Sequence, residues 1–169
     1  MTPTSSPLTD KMLAFAAVPC FRYDEAVDWA VDMLVRGYET PNLLILAGLS
    51  KPTDQWEALG YLQAAVRELG LSFDDRKVAA IRYARYLVGQ IAAGHRAALT
   101  ELYREYYDAL YEIDLQDFTS LYWTWEDFDL GATYSYYWPA ATPANIEQLV
   151  LTVAEQWLEE TAPAGEAAG

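Results

Sequence analysis

Five carboxylates stand in the stretch of this chain where aromatic residues are densest: Asp114, Asp117, Glu126, Asp127 and Asp129 lie among Phe118, Tyr122, Trp123, Trp125 and Phe128. Paired Asp and Glu side chains beside aromatic rings are the raw material of glycoside hydrolysis, where one carboxyl protonates the leaving oxygen and the other serves as base or nucleophile. Carboxylates next to one another at a turn are more simply a solvated surface, so a carboxylate-based hydrolase is the remote alternative here. Calcium is tested by spacing. Asp127 and Asp129 could open an EF-hand loop, but Ala132 falls where the loop needs glycine and Trp138 where it needs the bidentate Glu.

Other chemistry finds less to work with. The sole histidine, His95, follows Gly94 and suits a helix C-terminus. With the sole cysteine, Cys20, it falls short of a zinc set, and no nucleophile accompanies it. Neither phosphate-binding glycine loop occurs. The expectation is a chain with no catalytic residue, no metal ligand and no cofactor.

Binding is what the aromatic and acidic block does suit. Trp and Tyr supply large contact area for little entropy and dominate interface hot spots, and carboxylates around them would pair with Lys or Arg of a partner. The candidate partner-binding residues are Asp114, Asp117, Trp123, Trp125, Glu126, Asp127, Asp129, Tyr134 and Tyr136. About half of the block is expected to fill core instead, Phe118 and Trp157 especially.

Charge layout points the same way. Residues 1–104 hold all eleven Lys and Arg against twelve Asp and Glu, whereas residues 105–169 hold thirteen Asp and Glu and no base. Such a face repels nucleic acid and anionic membranes and can speed association with basic proteins by roughly 10–10³-fold at low salt. A purely solubilising surface is the alternative. One cysteine excludes an internal disulfide and fits a reducing, cytoplasmic setting. The run from Met12 to Val18 is at the short limit for a signal core, with Pro19 badly placed before Cys20, and reads as a short buried helix. No run approaches the ~20 apolar residues of a membrane span.

The elements that must position the block are helices. The 169 residues, 53% hydrophobic and 21% charged, suit one globular domain. Asp24 and Gly37 bracket one helix, Thr40-Pro41 opens a short one, Thr53 or Asp54 caps the next before Gly70, and Ser72 leads another to Gly94. Further helices are predicted over 96–113 and from Thr142-Pro143. Between Asp114 and Trp138, the pieces Leu121–Trp125 and Thr133–Trp138 permit a β-hairpin, in which Trp123 and Trp125 would share a face. They also permit a helical first half followed by an ordered loop, but some extended structure near Tyr134–Tyr137 is the favoured expectation. The expected fold class is mainly α, a compact antiparallel multi-helix domain over 9–160, with room for one short β-hairpin or extended aromatic segment near 121–138. Frayed residues 1–8 and a disordered tail 161–169 would flank it.

The run Leu43-Leu44-Ile45-Leu46-Ala47-Gly48-Leu49, then Glu57, Tyr61 and Glu68-Leu69-Gly70-Leu71, resembles a group of small acidic bacterial proteins of uncharacterised function. Tyr136-Tyr137-Trp138, Ala141-Thr142 and Asn145-Ile146 are similar to the same group, so the resemblance spans about residues 26–158. The group in turn resembles immunity proteins of bacterial toxin systems in size, acidity and helical character. The resemblance carries no catalytic residue. It implies an inhibitor that neutralises a basic, toxin-like protein by direct contact. The competing reading is a helical adaptor or regulatory subunit that holds a partner peptide or helix in an apolar groove. A DNA mimic would be a special case of the first.

Overall fold

The computed structural model describes residues 2–3, 6–15 and 22–163, the side chains of Phe15 and Asp75 excepted. Cys20, most of the apolar run's second half and the tail beyond Pro163 lie outside the described residues. The fold is mainly α. Eight α-helices occur among the described residues: α1 (Pro7–Phe15), α2 (Asp24–Val35), α3 (Pro41–Ala47), α4 (Gln55–Glu68), α5 (Arg76–Ala92), α6 (Ala97–Tyr106), α7 (Gln116–Asp129) and α8 (Ile146–Glu160). A 3₁₀ turn, Phe73–Asp75, leads into α5.

The chain divides into two compact units, Met1–Tyr83 and Ala84–Gly169. No glycine- or proline-rich linker announces the division, because it falls inside α5.

In the first unit the caps follow local chemistry. The carboxylate of Asp54 accepts hydrogen bonds from the amides of Trp56 and Glu57 at 3.0 and 2.9 Å, and Thr40-Pro41 opens α3. Trp29, Met33, Leu43, Leu46, Leu62 and Val66 are buried, each contributing about 1.5–3 kcal/mol when withdrawn from water. α1 docks through polar contacts as well. The Trp29 indole donates to the Thr9 hydroxyl at 3.0 Å, and Arg82 grips the buried Asp10 carboxylate at 2.7 and 2.9 Å. α1 begins at Pro7, inside the stretch expected to fray.

In the second unit α7 packs against α6 and α8. Phe118, Leu121 and Thr124 form its buried stripe, met by Leu99 and Leu102 of α6 and Ile146, Val150 and Ala154 of α8. Two helix bounds differ from those predicted. α6 stops at Tyr106 because the carbonyl of buried Glu105 takes the amides of both Asp108 and Leu110, turning the chain so that Ala109, Leu110 and Ile113 are buried. α8 starts at Ile146, after a turn in which the Thr142 amide donates to the Asn145 side chain at 2.7 Å.

The β-hairpin near 121–138 is a misreading. Residues 116–129 are one helix, no strand occurs among the described residues, and Thr133–Trp138 is irregular. Alternation of aromatic residues sets a strand only when a neighbouring strand completes its hydrogen bonds, and here the amides of 119–129 are satisfied along the helix. The other option, a helical first half with an ordered loop behind it, is the one observed.

Candidate partner-binding surface

α7 ends in a glycine-closed turn that decides where the following aromatics go. Gly131 sits at φ +95°, its amide bonds the Phe128 carbonyl, and the Ala132 amide bonds the Asp127 carbonyl, both at 3.0 Å. The chain then turns back, and buried Ser135 donates its hydroxyl to the Asp127 carboxylate at 2.7 Å. Ser135 Oγ in turn accepts the Tyr137 amide at 3.3 Å. This bonding holds Tyr136 and Tyr137 beside the outer face of α7.

There they complete a run of seven rings. Tyr103 of α6 stacks on Tyr122 of α7, centroids 4.1 Å apart and planes within 9°. Trp123 sets its edge against both, at 5.5 and 5.4 Å, and stacks on Tyr137 at 6.1 Å. Tyr136 meets Tyr137 at 6.5 Å, while Tyr107 and Tyr106 extend the run from Tyr103 at 5.7 and 4.9 Å. Such offset and edge-to-face pairs each contribute about 0.5–1.5 kcal/mol beyond burial, so the rings hold one another in place. Burial, and then the neighbouring Tyr107, push the Tyr103 phenol above its ordinary value. The outer members are open to solvent: Trp123 is 40% exposed, Tyr137 50%, Tyr107 65% and Tyr136 84%. Rings that are ordered by contact yet left wet are the arrangement expected of a binding surface rather than a core.

The nine predicted residues separate into groups. Trp123 and Tyr136 belong to the ring run, and Tyr134 is exposed next to it. Trp125 does not share a face with Trp123: two residues on a helix diverge by about 200°, and Trp125 lies half-buried under the Arg96 guanidinium, 4.3 Å from its ring centre. Arg96 also forms an ion pair with Asp129. Asp127 is bonded by Ser135, and Glu126 is half-buried on α7. Two of the acidic side chains singled out from the sequence, Asp127 and Asp129, therefore already hold side-chain partners within the chain. Asp114 and Asp117 stand elsewhere, at the start of α7, around a cleft shared with Trp157, Glu160 and Thr161. Phe118 is buried and Trp157 half-buried, as expected of core.

Comparison with protein-family models, with curated proteins and with solved structures returns no match.

Reading from sequence missed Tyr103, Tyr106, Tyr107, Tyr122 and Tyr137. A signal existed: Tyr103, Tyr106 and Tyr107 are spaced three and four apart, which puts them on one helix face next to the buried line of Leu99 and Leu102. Chemistry that needs a metal finds no group of three His, Cys, Asp or Glu side chains suited to hold one among the described residues. No helix among them is long and apolar enough to cross a membrane. The second unit carries fourteen Asp and Glu against three Arg and no Lys, a net of −11.

Proposed function

We propose that this chain is a non-catalytic binding protein that takes a basic protein partner on the exposed ring run of its second unit, in the manner of an immunity-type inhibitor. The observation that carries this reading is the run from Tyr106 to Tyr136: ordered, solvent-facing and set in a unit of net charge −11. Aromatic anchors would supply affinity and the acidic field would supply steering. The resemblance of the sequence to immunity-like proteins supports the same role, neutralising a toxin by contact.

An adaptor is the second reading. Val31 and Val35, one turn apart on α2, are both exposed, Val35 at 82%, and could seat an apolar partner helix.

The test is capture from host lysate by the tagged chain at low and high salt, with wild type, a Trp123→Ala/Tyr137→Ala variant and Val35→Asp in parallel. The inhibitor reading expects one stoichiometric basic protein, weakened by salt and lost with the ring variant. Capture that resists salt, survives the ring variant and disappears with Val35→Asp would favour the adaptor. Capture indifferent to all three changes would overturn both.

A further inference from the structure

We propose that the group which anchors a partner on the ring run is an arginine side chain, its guanidinium set against the exposed Trp123–Tyr137 pair with Asp127 as counter-ion. The inference rests on the partner reading above and names the chemistry that its surface selects.

α7 carries the same pair of residues twice. Trp123 and Asp127 stand four apart, and so do Trp125 and Asp129. At this spacing each carboxylate lies one turn beyond its indole on the same side of the helix. The second pair is filled from within the chain: the Arg96 guanidinium lies 4.3 Å from the Trp125 ring centre and forms an ion pair with Asp129. The first pair is turned from it by about 200°. Trp123 is 40% exposed and Tyr137, stacked on it, 50%. No ion pair among the described residues reaches Asp127, whose carboxylate accepts the Ser135 hydroxyl.

Asp127 is placed where a cation is wanted. It sits in the last turn of α7, where the helix dipole disfavours negative charge and no basic residue occurs. Asp129, in the same turn, is compensated by Arg96. A neutral hydroxyl orients Asp127 but leaves its charge in place. The second unit has no Lys, and its three arginines are engaged. Arg85 donates to the Leu158 carbonyl and the Thr161 hydroxyl, Arg96 pairs with Asp129, and Arg104 pairs with Glu101 at 2.6 Å. The missing cation therefore comes from another molecule, which the net charge of −11 would draw in.

The rings choose between the two basic side chains. A guanidinium is planar and weakly hydrated, and stacks on an aromatic face while its N–H edge meets a carboxylate. An ammonium is a strongly hydrated point charge. Arg96 on Trp125 and Asp129 makes both contacts at once. Trp123, Tyr137 and Asp127 offer the same two contacts, with Tyr136 beside them and 84% exposed.

The experiment is NMR titration of the ¹⁵N-labelled full chain at low salt with three capped peptides: Gly-Arg-Gly-Arg-Gly, its lysine counterpart, and its counterpart with neutral citrulline. The two indole signals are assigned by their loss in Trp123→Phe and Trp125→Phe. The expected result is a saturable shift with the arginine peptide, in the roughly millimolar range, at the Trp123 indole and the amides of 135–137. The Trp125 indole, already covered by Arg96, should stay still. The lysine peptide should bind about threefold more weakly, the scale of a cation–ring contact at an exposed site, and the citrulline peptide should not saturate. Asp127→Asn keeps an acceptor for Ser135 and removes the charge, and should weaken the arginine peptide by about fivefold. Equal affinity for the arginine and lysine peptides, saturation by citrulline, equal shifts at both indoles, or binding untouched by Asp127→Asn would each overturn the assignment. Failure here is distinct from failure of the partner reading. A basic partner captured through the rings, with the two charged peptides binding alike, leaves that reading standing and removes this one. Arginine-selective shifts at Trp123 in a chain whose rings capture no partner would remove that reading and leave the arginine seat.

Discussion

Ser135, 1% exposed, donates its hydroxyl to the carboxylate of Asp127 across the turn that Gly131 makes at the end of α7. The bond joins a helix to the irregular segment behind it and so sets the position of Tyr136 and Tyr137. Ser135→Ala removes the donor and leaves the Asp127 carboxylate without it. The expected cost is about 1–2 kcal/mol, the scale of a partly buried hydrogen bond to a charged group, read as a lower urea midpoint with unchanged slope. Hydrogen exchange at Tyr137 should quicken, because its amide bonds the same hydroxyl. A midpoint shift without faster exchange there would show that the bond does not anchor the segment.

Gly131→Ala tests the turn itself. A Cβ at this position meets nothing within 4 Å, so crowding plays no part. The cost comes from the left-handed backbone alone, about 1–2 kcal/mol. Thermal unfolding should shift down with the helical circular dichroism of the folded state unchanged.

Trp123 is the hinge of the ring run, touching Tyr103, Tyr122 and Tyr137. Trp123→Ala should weaken binding of the captured partner by more than about tenfold, as truncation of a central aromatic anchor does, mainly through faster dissociation. Surface-plasmon kinetics measures both rates. A slower association with unchanged dissociation would place the ring at the rim of the contact instead.

Arg82 and Asp10 provide a pH test in the first unit. Burial is the largest influence on the Asp10 carboxyl and raises it above its ordinary value near 3.8, while the Arg82 guanidinium pulls it part of the way back. A raised carboxyl binds protons more readily folded than unfolded. Its contribution to stability is therefore complete below pH 3.8 and is lost as pH rises through the folded value. Arg82→Met takes away the counter-charge and should raise the carboxyl further. The expected loss is about 2–3 kcal/mol at neutral pH, less than for a fully buried pair because Arg82 is half exposed, and it should shrink toward pH 4. A loss independent of pH would assign the effect to packing.

Asp24 gives the opposite sign. The Thr53 amide and hydroxyl, each 2.8 Å from Asp24 Oδ1, hold its carboxyl below the ordinary value, with a smaller pull from Lys51. Its contribution is present above pH 3.8 and is lost as pH falls through the lower folded value. Thr53→Ala removes the hydroxyl but keeps the amide, so the Asp24 titration should move up part of the way toward 3.8. Carboxyl-detected NMR reads this directly, and an unmoved titration would mean that the amide alone sets it.

The sequence determined the features that depend on near neighbours. Asp54, Thr40-Pro41 and the three helix-closing glycines Gly37, Gly70 and Gly94 could be read as punctuation, because capping and left-handed closure involve residues only a few positions apart. So could the charge asymmetry around Arg104. The tertiary structure decided everything that rests on comparing distant residues. Leu121–Trp125 is helical because Phe118, Leu121 and Thr124 found a core between α6 and α8, a fact absent from the local alternation of rings. Asp129 became an internal partner of Arg96, thirty-three residues away, and Asp127 of Ser135, so carboxylates that looked free in sequence are held. Tyr103 meets Tyr122 face to face across two helices. Composition could locate the aromatic block, but which rings are buried and which face water depends on how α6, α7 and the turned-back segment come together, and one surface is made by contacts that no single stretch of chain contains.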